Sequence, residues 1–233
     1  MVFYDDRSQG AVGLIAPSEN IDKAISNFQM AYEKKENELQ AGTLLVEAYT
    51  FKARFVAPEK EKKDGFKIAK ELGEELVKKF PENARVRFSY IAALGLWAER
   101  IGAITAATNG VVGKIMKNTE ELIIIDPEYR NGIGHRILGV MNYEAPYIPL
   151  VMSWPDKQRA LNIIHTCLER DPHDRGNNYY YAEALIENGK SEEAIPFLEK
   201  VIALQPKEDL ILEERAFANW AKQRLMIMQA GKK

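Results

Sequence analysis

Cysteine, histidine and long apolar runs are scarce in this sequence, and each shortage excludes a class of protein. Cys167 is the single cysteine among 233 residues, so no disulfide can form within the chain. The three histidines are scattered and form no helical His-Glu-x-x-His pair. We therefore predict a protein without a metal site, cofactor or enzymatic activity. No run reaches the roughly 18 apolar residues that a membrane-spanning helix needs.

The sequence also lacks an excess of either positive or negative charge. The 32 Lys and Arg residues against 34 Asp and Glu residues give a net charge of −2, and no basic cluster stands out, so we expect no nucleic-acid partner. Residues 1–10 lack the apolar core of a signal peptide, which leaves either a cytoplasmic protein or a mature domain with an added initiator Met. The mixed charges of residues 59–64 predict a solvated loop between helices.

What the sequence does contain is a recurring signal for the end of a helix. Proline follows an amphipathic segment at positions 81, 127, 172 and 206, which gives intervals of 46, 45 and 34 residues. Self-similarity at a period of 30–50 residues is typical of helical solenoids. The last interval has the length of a tetratricopeptide repeat (TPR), and longer helices in the other two could enclose a cavity rather than a groove.

Apolar residues at helical spacing predict helices along the chain, and no alternating β-branched stretch predicts a strand. We expect an all-α fold: a TPR-like α-solenoid of antiparallel helix hairpins with lengthened helices and a C-terminal capping helix. Residues 1–17 are predicted to be a partly ordered lead-in and residues 18–233 a single repeat domain. The helices are expected at about 18–32, 39–56, 66–80, 84–100, 102–125, 131–143, 157–170, 178–188, 192–204 and 210–229.

The last repeat shows the packing pattern most clearly. Small residues belong where the two helices of a hairpin cross closely, and larger apolar residues fill the space around them. The residues expected in these positions are Tyr181, Ala182, Leu185, Ala194, Leu198 and Val201.

Two stretches are unusually poor in charge. Between Ser89 and Gly113 the only charged residues are Glu99 and Arg100, and between Ile137 and Trp154 the only one is Glu144. Either the stretches form closely packed helices and a clamped loop, or they border an apolar chamber for a ligand. We expect them to lie against each other, because uncharged faces of this length need mutual burial.

The chamber hypothesis gives a set of candidate ligand-binding residues. Small side chains would leave volume, and Met, aromatic and hydroxyl-bearing side chains would supply adaptable contacts. Arg136 stands on an otherwise apolar helix face and is expected to bond loop carbonyls, a carboxylate such as Glu144 or Glu99, or an anion. The candidates are Trp97, Ile101, Thr105, Thr108, Arg136, Met141, Tyr143, Tyr147, Met152 and Trp154.

The order of several motifs resembles a known family over roughly residues 66–206. These motifs are Tyr90-x-x-Ala93-Leu94-Gly95-x-Trp97, Gly134-x-Arg136-x-Leu138-Gly139-x-x-x-Tyr143-x-Ala145-Pro146-x-x-Pro149, Trp154-Pro155-Asp156, Asp171-Pro172, Asn177-Asn178 and Tyr181-Ala182-Glu183-Ala184-Leu185. Their order is similar to that of the TPR-like T component associated with TRAP transporters (the TatT family). The first motif is also similar to helical-repeat regulators of microtubule dynamics.

The resemblance implies an all-helical protein with an internal cavity, located in the bacterial periplasm or cell envelope beside a substrate-binding protein. The function we predict is that of a non-enzymatic accessory to solute uptake, which holds an apolar or organic-acid ligand and docks that substrate-binding protein. The alternative is a cytoplasmic TPR adaptor that binds an extended peptide of a partner protein. A protein partner is expected in both cases, and a homo-oligomer is an open alternative.

Overall fold

The structure is a computed structural model that describes residues 1–145 and 155–230. In these residues the isolated bridge between Val12 and Ile15 is the single β feature, and a 3-10 turn, Glu208–Leu210, precedes the last helix. The α-helices are α1 Val2–Asp5, α2 Ser18–Glu33, α3 Glu38–Phe55, α4 Glu59–Lys79, α5 Ala84–Ile101, α6 Ala103–Thr108, α7 Val111–Ile125, α8 Tyr129–Glu144, α9 Lys157–Arg170, α10 Arg175–Glu187, α11 Ser191–Ala203 and α12 Ile211–Ala230.

The chain divides into two compact units, Met1–Asp126 and Pro127–Lys233. Within each unit, helices that follow one another in sequence pack together, as the helices of hairpins do. The expected all-α class of helix hairpins is therefore confirmed. The single domain expected over residues 18–233 stays a prediction, because it depends on whether the two units fold together as one domain. Among the described residues, no helix combines the length and apolar character that crossing a membrane requires.

Helices α3, α4 and α5 enclose an apolar core in the first unit. Gly73 lies where α4 passes close to α5, because a Cβ atom at this position would lie 3.1 Å from the Cα atom of Tyr90. A larger residue at position 73 would push the two helices apart. The fully buried side chains of this core are Val46, Ala69, Leu76, Val86 and Ala93.

The predicted lead-in packs onto this unit. The Arg7 guanidinium lies 4.6 Å from the centroid of the Tyr4 ring and 5.2 Å from that of Phe51. The backbone N–H of Ala16 donates to the carbonyl oxygen of Phe55 at 2.9 Å. The lead-in is thus held to α3 by a cation–π contact and a main-chain hydrogen bond.

Two expectations for the first unit are wrong. The charged residues 59–64 form the first turns of α4 rather than a loop. Pro58 has a φ of −62°, which suits the start of a helix, and the acidic side chains of Glu59 and Glu61 interact favourably with the positive end of the helix dipole. The long helix expected over 102–125 is broken into α6 and α7. Gly110 has a φ of +71° and ends the helical hydrogen-bond pattern there.

The second unit follows the predicted repeat closely. Helices α9, α11 and α12 begin and end within one or two residues of their expected positions, and α10 starts three residues earlier. The carboxylates of Asp156 and Asp174 accept the backbone N–H groups of Arg159 and Asn177 at 2.9 and 2.8 Å, which fixes the starts of α9 and α10. Helix α12 packs on α11 and α10, as expected of a capping helix.

The core of this unit confirms most of the expected hairpin positions. The small residues Ala182 and Ala194 and the larger Leu185, Leu198 and Val201 are all fully buried, whereas Tyr181 is half-buried. In the preceding hairpin, Gly139 of α8 lies against Ile164 of α9, and a Cβ atom on Gly139 would stand 2.5 Å from the Ile164 Cγ1 atom. The glycine therefore sets how closely α8 approaches α9.

Tyr90 gives a pH test of the packing between α4 and α5. Burial, and then the charge of Glu74, raises the pKa of Tyr90 to about 12. An unfolded tyrosine titrates near pH 10, so the stabilising contribution is complete below about pH 10 and is lost as the pH rises towards 12. We expect the wild type to lose roughly 2 kcal/mol more than Tyr90→Phe between pH 10 and pH 12. Guanidinium unfolding at several pH values measures this difference, and equal losses in the two proteins would contradict it.

Candidate functional site

Four of the ten sequence-predicted ligand residues lie in the first unit. Trp97 and Ile101 are half-buried at the end of α5, whereas Thr105 and Thr108 are exposed on α6. The Thr108 hydroxyl donates to the carbonyl oxygen of Ile104 in its own helix at 3.1 Å. Thr108 thus satisfies its hydroxyl locally. Neither threonine is enclosed as the chamber hypothesis expected.

Trp97 has the most distinctive environment of these four. The ammonium of Lys70 lies 4.6 Å from the centroid of the indole ring, a cation–π distance, and also 3.6 Å from the Glu71 carboxylate. The indole nitrogen of Trp97 is buried and has no hydrogen-bond partner. This arrangement holds the Lys70 side chain across the α4–α5 hairpin.

Arg136 in the second unit pairs with a carboxylate, as expected of a structural arginine, but the carboxylate is that of Asp174. Its guanidinium donates to the carboxylate of Asp174 at 2.6 Å and to the side-chain oxygen of Asn177 at 3.0 Å, so it reaches the start of α10. A Cβ atom on Gly176 would lie 2.7 Å from the guanidinium, which explains the glycine. The expected partners Glu99 and Glu144 do not appear among the described hydrogen bonds and ion pairs of Arg136.

The charge on Asp174 is set by these contacts. Burial by itself would raise the pKa of the Asp174 carboxyl. The Arg136 guanidinium, the backbone N–H of Asn177 and the Lys207 ammonium at 3.3 Å outweigh burial and lower that pKa. Asp174 is therefore a carboxylate that caps α10 and joins α8 to it.

The remaining candidates divide between described and undescribed residues. Met141 and Tyr143 are half-buried on α8. Tyr147, Met152 and Trp154 lie outside the described residues. The structure thus places four candidates in the first unit and three in the second. A shared ligand chamber, and the burial of the two charge-poor stretches against each other, stay predictions.

The second unit also carries a cluster of rings that the candidate list did not include. Tyr179 and Tyr180 of α10 contact Phe217 of α12, with ring centroids 5.6 Å apart in both pairs. Trp220 of α12 lies 5.6 Å from Tyr179 and 5.2 Å from Phe217. We call these four half-buried residues the aromatic face. Their tilted and edge-on contacts are the favourable geometry for aromatic pairs.

An ion pair lies beside the aromatic face. The Arg224 guanidinium of α12 donates to both carboxylate oxygens of Glu183 on α10, with a distance of 2.8 Å for the Nε atom. Glu183 is 5% exposed, so its charge requires this two-point pairing. Burial, and then the Glu183 charge, raises the pKa of Tyr179. The tyrosine therefore remains a neutral hydrogen-bonding group.

The sequence did contain a signal for this cluster. Residues 179–181 are three consecutive tyrosines, which must point to different sides of a helix. Tyr181 contacts Phe197 of α11 with ring centroids 4.8 Å apart, and the other two turn towards α12. The expected repeat pattern used Tyr181 and left Tyr179 and Tyr180 unassigned.

Another surface feature lies in the first unit. An open concavity of about 360 Å³ is lined by Leu39, Phe80, Pro81, Glu82 and Asn83, where α4 turns into α5. None of the seven described candidates lines it. Among residues 1–145 and 155–230, no three His, Cys, Asp or Glu side chains come together as a metal site.

Comparisons with known proteins support the repeat character of the second unit. Residues 156–212 match the tetratricopeptide repeat family, and this segment contains α9, α10 and α11. The expected TPR-like fold class is thereby confirmed. The match covers less than half of the chain. No curated protein matches the chain.

The crystal structure of yeast Tom70 is similar to this chain over a long but weak alignment. It shares 12% sequence identity and has a TM-score of 0.36. The alignment covers 92% of this chain and 62% of that chain, so the chain spans less than two thirds of the Tom70 structure. The likeness is too distant to transfer details of fold or function.

Proposed function

We propose that this chain is a non-enzymatic binding protein that holds an extended segment of a protein partner on its second unit. The tetratricopeptide repeat and the helix hairpins are those of a protein–protein interaction scaffold. The observation that carries the proposal is the aromatic face on α10 and α12. Half-buried Tyr and Trp side chains supply a large contact area with little conformational entropy to lose, and such residues dominate protein interfaces.

The geometry of the helices supports a docking surface at this position. Helix α10 packs against both α8 and α12, so three helices of the second unit lie side by side. Their shared surface includes Arg136, Tyr179, Tyr180, Phe217 and Trp220, since the Arg136 guanidinium lies 5.9 Å from the centroid of the Tyr180 ring. An extended peptide that crosses these helices would contact rings from two of them.

Site-specific photocrosslinking tests the proposal directly. A benzoylphenylalanine residue in place of Trp220 retains an aromatic ring at the aromatic face, and the same residue in place of the exposed Glu199 on α11 serves as the matched control. In the organism that makes the protein, we expect a discrete protein adduct from position 220 and none from position 199. Equal labelling at both positions, or no adduct at position 220, would contradict the proposed function.

A second candidate function is the accessory role in solute uptake. Its support is the motif order from Gly134 to Leu185, together with the charge-poor stretches, which suit an apolar or organic-acid ligand. Under this proposal the protein works in the bacterial envelope, and its partner is a substrate-binding protein. The first proposal, a protein that binds an extended peptide, is equally compatible with a location in the cytoplasm.

Two measurements separate these functions. Cell fractionation with N-terminal sequencing of the natural protein shows whether it is found in the envelope and whether a leader has been removed. Native mass spectrometry of that protein shows whether it retains a small molecule. An envelope protein with a retained ligand supports the uptake role. A cytoplasmic protein without one supports the peptide adaptor.

A further inference from the structure

Residues 12–15 form an exposed apolar turn in the lead-in of the first unit. The backbone N–H of Val12 donates to the carbonyl oxygen of Ile15 at 2.9 Å, and the N–H of Ile15 donates to that of Val12 at 3.0 Å. Residues that exchange two such bonds carry their side chains on the same face. Val12 and Ile15 are 81% and 70% exposed, so this face is apolar and open to solvent. We call residues 12–15 the apolar tip.

The apolar tip belongs to a segment without charge. All residues from Ser8 to Ser18 are uncharged. At one end of this segment Arg7 is buried and the exposed carboxylates of Asp5 and Asp6 precede it, and at the other end Glu19 is paired within α2 at 2.7 Å. The acidic side chains disfavour a surface of anionic lipids. The tip itself suits an apolar surface, because contact would remove two apolar side chains from water.

The open concavity at the turn from α4 to α5 offers an apolar surface. Leu39 and Phe80 are half-buried in its wall, and Pro81 is exposed there. Its volume is about 360 Å³. The charged residues next to Leu39 and Phe80 in the chain, Glu38 and Lys79, form an ion pair with each other. The wall therefore presents apolar side chains beside a neutralised pair.

Glu82 is the charged residue that lines the concavity. It is exposed, and it has no ion-pair partner in the part of the chain that the structure describes. Arg85, which follows it, is paired with Glu47 at 2.8 Å. In the apolar tip, the backbone N–H groups of Gly13 and Leu14 make no hydrogen bond within the described residues. A carboxylate at the concavity and two amide donors at the tip are complementary groups, since amide hydrogen bonds to a carboxylate are stronger than those to a neutral acceptor.

The apolar tip and the concavity lie at opposite ends of α3. The backbone N–H of Ala16 donates to the carbonyl oxygen of Phe55, the last residue of α3, at 2.9 Å. Leu39 is the second residue of this helix, and a rise of about 1.5 Å per residue separates it from Phe55 by roughly 24 Å. Four extended residues reach at most about 14 Å from Ala16. The tip therefore cannot fill the concavity of its own chain.

We propose that this chain associates with itself head to tail, with the apolar tip of one copy seated in the concavity of the next. The contact joins two different surfaces, so each copy in a pair keeps one of its two surfaces free for a further copy. It buries little area, and we expect weak association that grows with protein concentration and continues beyond a dimer. The inference concerns the first unit and does not rest on the peptide binding proposed for the second.

Analytical ultracentrifugation of the full chain measures this association. Between about 10 and 500 µM we expect the wild type to shift from monomer to dimer and larger species, as a weak interface does. The tip variant, Val12→Asp with Ile15→Asp, places two charges against the apolar wall and should weaken association at least about tenfold. Its unfolding midpoint should equal that of the wild type, because both positions are exposed. The matched control is Ile104→Asp with Ile124→Asp, which changes two exposed isoleucines of the same unit and should associate like the wild type.

A complementation experiment tests the head-to-tail geometry. The concavity variant, Pro81→Arg with Glu82→Arg, changes two exposed residues that line the concavity and leaves the tip intact. Alone, the tip variant and the concavity variant should each remain monomeric. Mixed in equal amounts, they should form a heterodimer with one copy of each and nothing larger, because the mixture retains one working tip and one working concavity per pair.

Three results would overturn the inference: a wild type that stays monomeric over this range, a tip variant that associates as strongly as the wild type, and a mixture of the two variants without a heterodimer. Binding of a monomeric wild type, but not of the tip variant, to phosphatidylcholine vesicles would also overturn it and assign the tip to a lipid surface. The photocrosslink at position 220 tests the proposed function separately, since it does not depend on the tip or the concavity.

Discussion

Replacing Arg175 with methionine is expected to lower the free energy of unfolding by about 3–5 kcal/mol. Arg175 is 3% exposed at the start of α10. Its guanidinium donates to the backbone carbonyl oxygens of Glu214, at 2.7 Å, and of Leu204, and its Nε atom lies 3.3 Å from the Glu214 carboxylate. Methionine fills much of the same volume but donates no hydrogen bond. The Glu214 carboxylate, 6% exposed, would be left buried without a counter-charge.

Urea unfolding followed by circular dichroism measures this loss. The double variant Arg175→Met with Glu214→Gln removes the unpaired charge and should recover about 1–2 kcal/mol of the loss. Arg159→Met on α9 replaces an exposed arginine with the same residue and should change stability by less than about 0.5 kcal/mol. A loss in Arg175→Met no larger than that of Arg159→Met would show that the buried contacts contribute nothing.

The sequence predicted the helices of the second unit well because their ends depend on local chemistry. Asp156 and Asp174 each accept a backbone N–H three residues later, and Asp171-Pro172 ends α9. Gly189 has a φ of +76°, which the turn between α10 and α11 requires. These signals act over three or four residues, so they can be recognised without knowing the tertiary structure.

The two differences from expectation in the first unit have local causes. A run of mixed charge is compatible with a loop or with the exposed first turns of a helix. At α4 the proline at position 58 and the acidic residues that follow favour the helix. Similarly, Gly110 has a positive φ and interrupts the helix expected over 102–125. A glycine inside an apolar stretch does not reveal from sequence alone whether a helix continues through it.

The candidate site was less predictable because its contacts are distant in sequence. Arg136 and Asp174 are separated by 38 residues, and Glu183 and Arg224 by 41. For each arginine the sequence contains many carboxylates at comparable separations. Only the packing of α8, α10 and α12 determines which of them form pairs. Tyr143 could be listed as a ligand candidate from sequence. The burial of its hydroxyl without a hydrogen-bond partner required the structure.

Arg136→Ala is expected to lower the free energy of unfolding by about 2–4 kcal/mol. The substitution removes the hydrogen bonds to Asp174 and Asn177. The partly buried Asp174 carboxylate then keeps the Lys207 ammonium and the backbone N–H of Asn177 as partners. The substitution also opens space against Gly176. Urea unfolding at pH 7 measures the loss. Lys207→Ala is the matched control, because it removes the other, more exposed cation from the same carboxylate and should cost less than about 1 kcal/mol.

The pH dependence shows whether the Asp174 charge is responsible. Its pKa is lowered in the folded protein, so the stabilising contribution is present above the ordinary aspartate pKa and is lost as the pH falls through the lowered value. Without Arg136 that pKa should rise towards its ordinary range, because burial is then opposed by fewer positive groups. We therefore expect the stability gap between wild type and Arg136→Ala to narrow from pH 5 to pH 3. A gap that stays constant over this range would assign the loss to packing against Gly176 rather than to the ion pair.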